Sequence, residues 1–353
     1  MINELTQLSI SLTDICPVEC NHCLIDCSPK NKAVIDFELV KKLLKQTSLE
    51  LPIESVGLTG GEPFFVYEYL LQIMGHIHQN YHYDVGVISN AYWATNFDES
   101  QEKLTKLKLL GLKEIVISTD QYHQKYIPVE NIFNVIKAAK KLDVRITLRH
   151  VYTNDSSTED WIKNFYTNDL SSEDFQIINS IDDWKNKNKI FVEKQPCFLI
   201  GRAKEKIPRS NLPLKKMCEN EKDINSACLT ALKIIHMYIN GDIAFCCGAF
   251  QTNSALIQGN IKTEDFGKIL KKALYSPVYN SLSTKGFSEI VEFLRSNGHK
   301  LPEEFSSMCH LCHMIFTNQE YSPDLSVFLK KKALKYFLEH DLYEKKKLEK
   351  ETV

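Results

Sequence analysis

The chain has 353 residues, enough for about two domains of ~150 residues each and a sizeable core. Its 43 basic and 45 acidic residues leave a net charge of −2, which gives no electrostatic footprint for nucleic acid. No apolar run approaches the ~18 residues of a membrane span, and MINELTQL lacks the basic start and apolar block of a signal peptide, so a cytoplasmic protein with no membrane partner is expected.

From residue 7 onward, short apolar runs alternate with amphipathic segments, the pattern of a parallel sheet with crossover helices. A first strand over 7–14 feeds a cysteine-rich loop. Asp36 then caps a helix with Phe37, Val40, Leu43 and Leu44 on one face. Strands follow near 55–59 and 84–89. Asp98 with Gln101 three residues on has the form of a capping box, Leu104 and Leu107 give helical periodicity, and Gly111 is placed to end that helix. The next strand is 114–119; Ile132, Val135, Ile136, Ala139 and Leu142 form another amphipathic helix before a strand at 144–152. At least five βα units are complete by residue 166, and DFQII near 174–178 is the candidate for a sixth strand. The rest of 153–188 is polar and carries no usable motif. Residues 206–227, with Pro208, Pro213 and mixed charge, read as a linker. Beyond it, ALKIIHMYINGDIAFCC reads as a hairpin with Asn240-Gly241 at its tip, and 263–297 as helical.

Eleven cysteines in a long unsecreted chain point to metal ligands and reactive thiols rather than a disulfide framework. Cys16, Cys20 and Cys23 stand at CxxxCxxC spacing, close enough for one loop to wrap three thiolates around a single inorganic centre. Four thiolates close an iron–sulfur cluster, whereas three leave one iron open to another ligand. A zinc knuckle or a chance cluster is the bland alternative, although zinc sites normally draw their cysteines in xx-spaced pairs. Thr59, Gly60, Gly61, Glu62 and Pro63 read TGGEP straight after an apolar run, where glycines let backbone carbonyls approach a ligand; alone this could be an ordinary turn.

With His22 directly before the third cysteine and TGGEP one helix and one strand later, the chain resembles the radical S-adenosylmethionine (SAM) superfamily. The resemblance implies a partial (β/α)6 TIM-type barrel over 1–205, with ligands at the carboxyl ends of its strands. It implies a four-iron four-sulfur (4Fe-4S) cluster on Cys16, Cys20 and Cys23, with SAM on the fourth iron. One electron, from a donor such as flavodoxin or ferredoxin, then cleaves SAM to a 5′-deoxyadenosyl radical that abstracts hydrogen from the substrate. Cofactor contacts are implied at His22, Gly60, Gly61, Glu62 and Pro63, and at the strand-end residues Asn90, Ser118 and Arg149. Arg202, in CFLIGRAKE, is a candidate for the SAM carboxylate or the substrate. The bland alternative for each strand-end residue is a loop or cap role. Asp120 and His123, in STDQYHQKYIP, are candidates for an acid–base pair or for substrate contacts.

Cys228, Gly241 and Cys246 stand in a CX12GX4C arrangement that, with Cys309 and Cys312, resembles the SPASM and twitch auxiliary-cluster domains. With no cysteine after Cys312, this implies a smaller C-terminal domain at 228–320 holding one auxiliary 4Fe-4S cluster; zinc on the same four cysteines is the alternative. An amphipathic Lys/Glu-rich helix is expected over 321–353. Cys27, Cys197, Cys218 and Cys247 remain, and most such thiols pack as small hydrophobes. Cys247 differs, because strand alternation would turn it away from the auxiliary cluster if Cys246 faces it, leaving it free to donate a hydrogen atom to the substrate. Cys218 is the second candidate for that donor. DICPVECNHCLIDCSP and the later Cys-Cys pair resemble peptide epimerases of the epipeptide-maturing type, which implies conversion of L- to D-residues in a ribosomally made peptide. Oxidative thioether or carbon–carbon crosslinking of a peptide, dehydrogenation of a small alcohol, and a non-enzymatic SAM-binding sensor are the other readings. Because the sequence starts at the first strand, a leader segment is expected to bind the barrel or a separate leader-binding protein.

Overall fold

The computed structural model describes residues 4–167, 170–178, 189–247, 255–332 and 334. Six parallel strands run in order from one edge of the barrel wall: β1 (Gln7–Ser11), β2 (Ser55–Thr59), β3 (Asp84–Ser89), β4 (Leu112–Ser118), β5 (Arg145–Tyr152) and β7 (Ile190–Pro196), with β6 (Phe175–Ile178) outside β7. The sixth strand is therefore 190–196, and DFQII lies beyond it at the edge. Helices α1 (Phe37–Glu50), α2 (Tyr67–Asn80), α3 (Phe97–Leu109) and α4 (Val129–Lys141) connect the strands. This is an α/β fold with a parallel sheet, as a partial TIM-type barrel requires.

Local chemistry sets the helix ends. Asp36 accepts a hydrogen bond from the Glu38 amide at the start of α1. The start of α3 is set two residues before the expected capping box. Asn96, not Asp98, accepts from the backbone of the residue three on, Glu99, because Phe97 is already helical. Gly111, at φ +96°, follows the end of α3 as expected.

The faces of the sheet differ in polarity, and that difference locates the ligand side. Leu8, Ile10, Val56, Leu58, Val85, Val87, Ile115, Ile117, Ile146 and Leu148 share one core with Val40, Leu43, Ile73, Ile77, Leu104 and Val135 of the helices. Alternation puts Ser9, Ser11, Gly57, Gly86, Glu114, Thr147, Arg149 and Glu193 on the opposite face. A parallel sheet buried on both sides reads as continuous apolar runs; a face this polar is one that meets a ligand.

The hairpin expected after the linker forms from β9 (Ile234–Met237) and β10 (Asp242–Ala244), with Gly241 at φ +90° in its turn. Its first strand pairs parallel with β1, and β11 (Ile257–Asn260) pairs with β10, so the hairpin extends the barrel's own sheet. A two-residue strand in the linker, β8 (Lys215–Lys216), pairs with β12 (Glu304–Phe305). Three helices at Phe266–Leu274, Pro277–Lys285 and Ser288–Ser296 fill the helical stretch expected at 263–297. Residues 322–332 are helical, and the rest of the expected C-terminal helix lies outside the described residues. No helix among the described residues is long and apolar enough to cross a membrane.

The β1–β9 seam carries a buried histidine. His236 lies between Ser9 Oγ at 2.9 Å and Ser11 Oγ at 3.0 Å, and burial lowers its pKa from 6.5 to about 4. The folded chain therefore keeps it neutral where the unfolded chain would take up a proton. That stabilisation is whole above pH 6.5 and is lost as the pH falls toward 4. Between pH 7 and pH 5 the native protein should lose about 2 kcal/mol more stability than His236→Asn, read from denaturant melts at the two values.

Candidate active site

Three loops at the carboxyl ends of the strands interlock. After β1 comes the cysteine loop, and after β2 the TGGEP segment lies directly on it. The Gly61 amide donates to Thr13 O at 2.6 Å and the Glu62 amide to Ile15 O at 2.8 Å. A Cβ on Gly60, at φ +134°, would fall 2.4 Å from Thr13 O, and one on Gly61 would fall 2.2 Å from Ile15 O. The side-chain space missing at both glycines is thus occupied by the cysteine loop rather than by a ligand.

Glu62 has no exposed surface, and its carboxylate is fully engaged by protein donors. Oε1 accepts from the Phe64 amide and Ser89 Oγ, and Oε2 from the Asn90 amide at 2.7 Å. Burial pushes its pKa up to about 7 against the pull of those three donors. Glu62 fastens TGGEP to the end of β3 and caps the short 3-10 helix Pro63–Val66, in which Pro63 is the first residue.

The thiols of the loop lie in different surroundings. Asn90 Nδ2 donates to Cys16 Sγ at 3.5 Å. Cys27 donates to Cys23, which lowers the Cys23 thiol to about 6, while burial pushes Cys16 up to about 12. Cys27, expected merely to pack, is thus part of the cysteine loop's own network; its spacing after Cys23 was visible in the sequence.

Asp120 and His123 do form a pair. Asp120 is completely buried; its Oδ1 accepts from the amides of Tyr122 and His123, and its Oδ2 lies 2.9 Å from His123 Nδ1 and 3.4 Å from His22 Nε2. Burial would raise this carboxyl, yet the His123 and His22 rings hold it well below the usual carboxylate range. Burial likewise opposes a charged His123, and Asp120 with Cys20 carries it well above its ordinary value. With its Nδ1 on Asp120, His123 packs edge-on against His22 beneath the cysteine loop.

His22 stacks on Tyr122 with ring centroids 4.8 Å apart, and burial lowers its pKa to about 4. Its Nδ1 is buried without a protein partner, an orphaned polar atom of the kind a bound ligand satisfies. The Arg202 guanidinium donates to Cys20 O at 2.9 Å and Cys27 O at 2.7 Å, and its amide donates to Cys23 O. It clamps the cysteine loop with a planar fork. Ser118 stands opposite Arg149 across β4 and β5, half-buried on the polar face. Arg149 Nε bonds Glu193 Oε2 at 2.9 Å, a partner on β7 that sequence reasoning missed.

A second thiol cluster lies beyond the hairpin. Cys228, Cys246, Cys247, Cys309 and Cys312 line one cavity with the apolar side chains of Leu256, Leu282 and Phe287. Cys309 and Cys312 come from one face of the helix Met308–Phe316, three residues apart. Cys247 hydrogen-bonds Cys309 and raises its pKa well above the ordinary thiol value, with burial adding to the shift; burial does the same to Cys312. Thiols packed this tightly resist ionising as bare side chains, and metal binding is what offsets that penalty. Cys247 does not turn away from Cys246 as expected, because β10 ends at Ala244 and strand alternation no longer applies. Cys218 is exposed on the turn Met217–Glu219 and is not among the residues lining this cavity, and Cys197 packs with Ala203, Ile207 and Leu212.

Residues 10–164 match the radical SAM superfamily, a span that takes in the cysteine loop, TGGEP and the ends of β3, β4 and β5. They form a radical SAM domain. Its cofactors are a 4Fe-4S cluster and SAM. The residues at hand fit such a group, with three thiols on one loop, an amide donor on Cys16, and an unpartnered buried nitrogen on His22. The protein YydG of Bacillus subtilis (strain 168), whose name assigns it provisionally to peptide biosynthesis, is 24% identical over 318 residues, covering 89% of this chain and 92% of that protein. The GTP 3′,8-cyclase of Aquifex aeolicus (strain VF5) is 28% identical over 201 residues, 51% of this chain and 59% of that enzyme. Among solved structures, anSMEcpe with bound AdoMet and the Cp18Cys peptide covers 91% of this chain and 98% of its own, at 13% identity and a TM-score of 0.49.

Proposed function

We propose that this radical SAM protein modifies a peptide, inverting Cα centres from L to D, with Cys16, Cys20 and Cys23 as ligands of the SAM-binding cluster and Cys247 as the hydrogen donor. The observation that carries the reading is the position of Cys247, whose thiol lines the five-cysteine cavity and is the exposed member of that cluster. The provisional assignment of YydG to peptide biosynthesis supports the substrate class. Cys228, Cys246, Cys309 and Cys312 are the proposed ligands of an auxiliary 4Fe-4S cluster.

The bound cofactors supply a carbon-centred radical that removes the Cα hydrogen of the substrate residue. Cys247 then gives up the hydrogen atom of its S–H to the opposite face, so that a C–H bond forms and the sulfur is left as a thiyl. One electron from a flavodoxin- or ferredoxin-type donor and one proton from water restore the thiol. His22, Asn90, Ser118 and Arg149 surround the place where SAM and the peptide meet. Arg202 and Glu62 hold the loops that form it.

Oxidative crosslinking is the second reading, because the same thiol-lined cavity could hold a cluster that takes up a surplus electron. Anaerobic turnover of candidate precursor peptides in deuterated water separates the two by mass spectrometry. Epimerisation adds a deuterium at each inverted centre, since the donor thiol exchanges with solvent; crosslinking removes two hydrogens and adds no deuterium. Absence of 5′-deoxyadenosine under any reducing condition would exclude both.

A further inference from the structure

Where the cysteine loop meets the loop after β4, two imidazoles converge on one carboxylate oxygen. Asp120 Oδ2 lies 2.9 Å from His123 Nδ1 and 3.4 Å from His22 Nε2, and the three donor atoms all lie within 4.8 Å of one another. His22 comes from between Cys20 and Cys23, whereas Asp120 and His123 come from the segment that follows Ser118. His22 and Asp120 are buried, and only 15% of the His123 side chain is exposed.

Hydrogen bonds alone leave this cluster incomplete. At 3.4 Å the approach of His22 to Asp120 is longer than an ordinary N–H···O bond of about 2.7–3.2 Å, and His22 Nδ1 has no partner at all. A buried imidazole is thus left without a normal hydrogen bond at either nitrogen, which is costly unless something else engages it. Metal–nitrogen and metal–oxygen bonds of about 2.0–2.1 Å in a tetrahedral zinc site put neighbouring donor atoms about 3.3 Å apart. The His22–Asp120 separation is already close to that value, and the His123–Asp120 separation needs to open by only about 0.4 Å. The carboxylate is also oriented from behind: Oδ1 accepts the amides of Tyr122 and His123 at 2.9 and 3.0 Å, which leaves Oδ2 directed at the two rings. Tyr122 stacks on His22, and Tyr126 Oη donates to Glu19 O at 3.1 Å, so the two loops are already docked around the three donors.

We propose that His22 Nε2, Asp120 Oδ2 and His123 Nδ1 bind a divalent transition-metal ion of the zinc type, with a fourth position open to water, and that this ion pins the cysteine loop to the loop after β4. Two imidazoles and a carboxylate, without sulfur, are a donor set that suits zinc and sets the site apart from the thiol clusters. The site is independent of the peptide reaction and of which cysteines hold iron, so it stands or falls separately from the function proposed above.

The test is zinc binding to the anaerobically iron-loaded protein, by equilibrium dialysis with zinc and iron counted by elemental mass spectrometry. Native protein should take up about one zinc per chain without losing iron. Asp120→Asn keeps the size of the side chain and an oxygen for the two amides, and His123→Phe keeps a ring; each should weaken zinc binding at least about tenfold. His236→Asn, which alters a buried histidine elsewhere in the fold, should bind zinc as native protein does. X-ray absorption at the zinc edge reads the native protein directly and needs no variant to fold. Nitrogen and oxygen ligands at about 2.0–2.1 Å are expected, without the sulfur shell at about 2.3 Å that zinc on cysteines would give. Absence of zinc uptake, uptake matched by loss of iron, or a sulfur shell would each overturn the inference. A loss of affinity smaller than about tenfold in either substituted protein that loads iron would overturn it as well.

Discussion

Cys247→Ala should abolish epimerised product, with at least a hundredfold loss of deuterium uptake, while 5′-deoxyadenosine continues to form. The expectation follows from separating the two halves of the reaction. Radical formation depends on the cysteine loop and its supports, whereas Cys247 lies in the second thiol cavity. Quenching the Cα radical depends on a hydrogen atom delivered from the opposite face, and Cys247 is the exposed member of the five thiols around the second cavity. Alanine has no S–H to give, so the radical should persist, return to starting material or take another path. Cys247→Ser should fail in the same way, because an O–H bond is too strong to donate its hydrogen to a Cα radical. The close contact between Cys247 and Cys309 raises a competing possibility, that Cys247 is itself a cluster ligand. Iron content separates the cases: a donor can be removed with both clusters retained, whereas a ligand cannot. Unchanged deuterium uptake in Cys247→Ala would return the donor role to Cys218 or end it.

Much of the fold was readable because the helix-facing side of the sheet is uniformly apolar. The strands at 55–59 and 84–89 stand where alternation and turn residues put them. The sixth strand was not readable. IFVEKQP turns Glu193 toward the barrel's polar face, where its partner is Arg149, and the charged residues break the apolar run that marks a strand. The information that stabilises it lies on β5, some forty residues earlier in the chain. A similar ambiguity displaced the start of α3, since Asn96 with Glu99 fits the capping pattern as well as Asp98 with Gln101 does. In the site, motif spacing identified the cysteines and TGGEP, but not which atoms each residue would meet. Arg202 and His123 both looked like ligand-binding residues, as polar side chains at loop positions do. Arg202 donates to two backbone carbonyls of the cysteine loop, and His123 bonds the buried Asp120 carboxylate, partners that the sequence pattern does not show.

Gly61→Ala should leave a folded chain that makes 5′-deoxyadenosine at least tenfold more slowly, whereas Gly75→Ala should be harmless or stabilising. A Cβ at position 61 would fall 2.2 Å from Ile15 O and 2.7 Å from Ile15 C, well inside van der Waals contact. Both atoms are backbone, so no side-chain rotation can relieve the overlap, and the cysteine loop itself must move. Ile15 is the residue before Cys16, and the Gly61 and Glu62 amides hold Thr13 and Ile15 in place. A displacement there is passed directly to the first thiol and to the 3.5 Å bond from Asn90. Reactive constellations tolerate only about 0.5 Å of misplacement before the rate suffers. Gly75 sits inside α2 with nothing within 4 Å of the added methyl, so alanine there should contribute up to about 1 kcal/mol through helix propensity. Circular dichroism would confirm that both variants fold, and iron content with the rate of SAM cleavage would report the site. Equal rates in the two variants would mean that the TGGEP loop can separate from the cysteine loop without disturbing it, and that the interlock of the two loops does not hold Cys16.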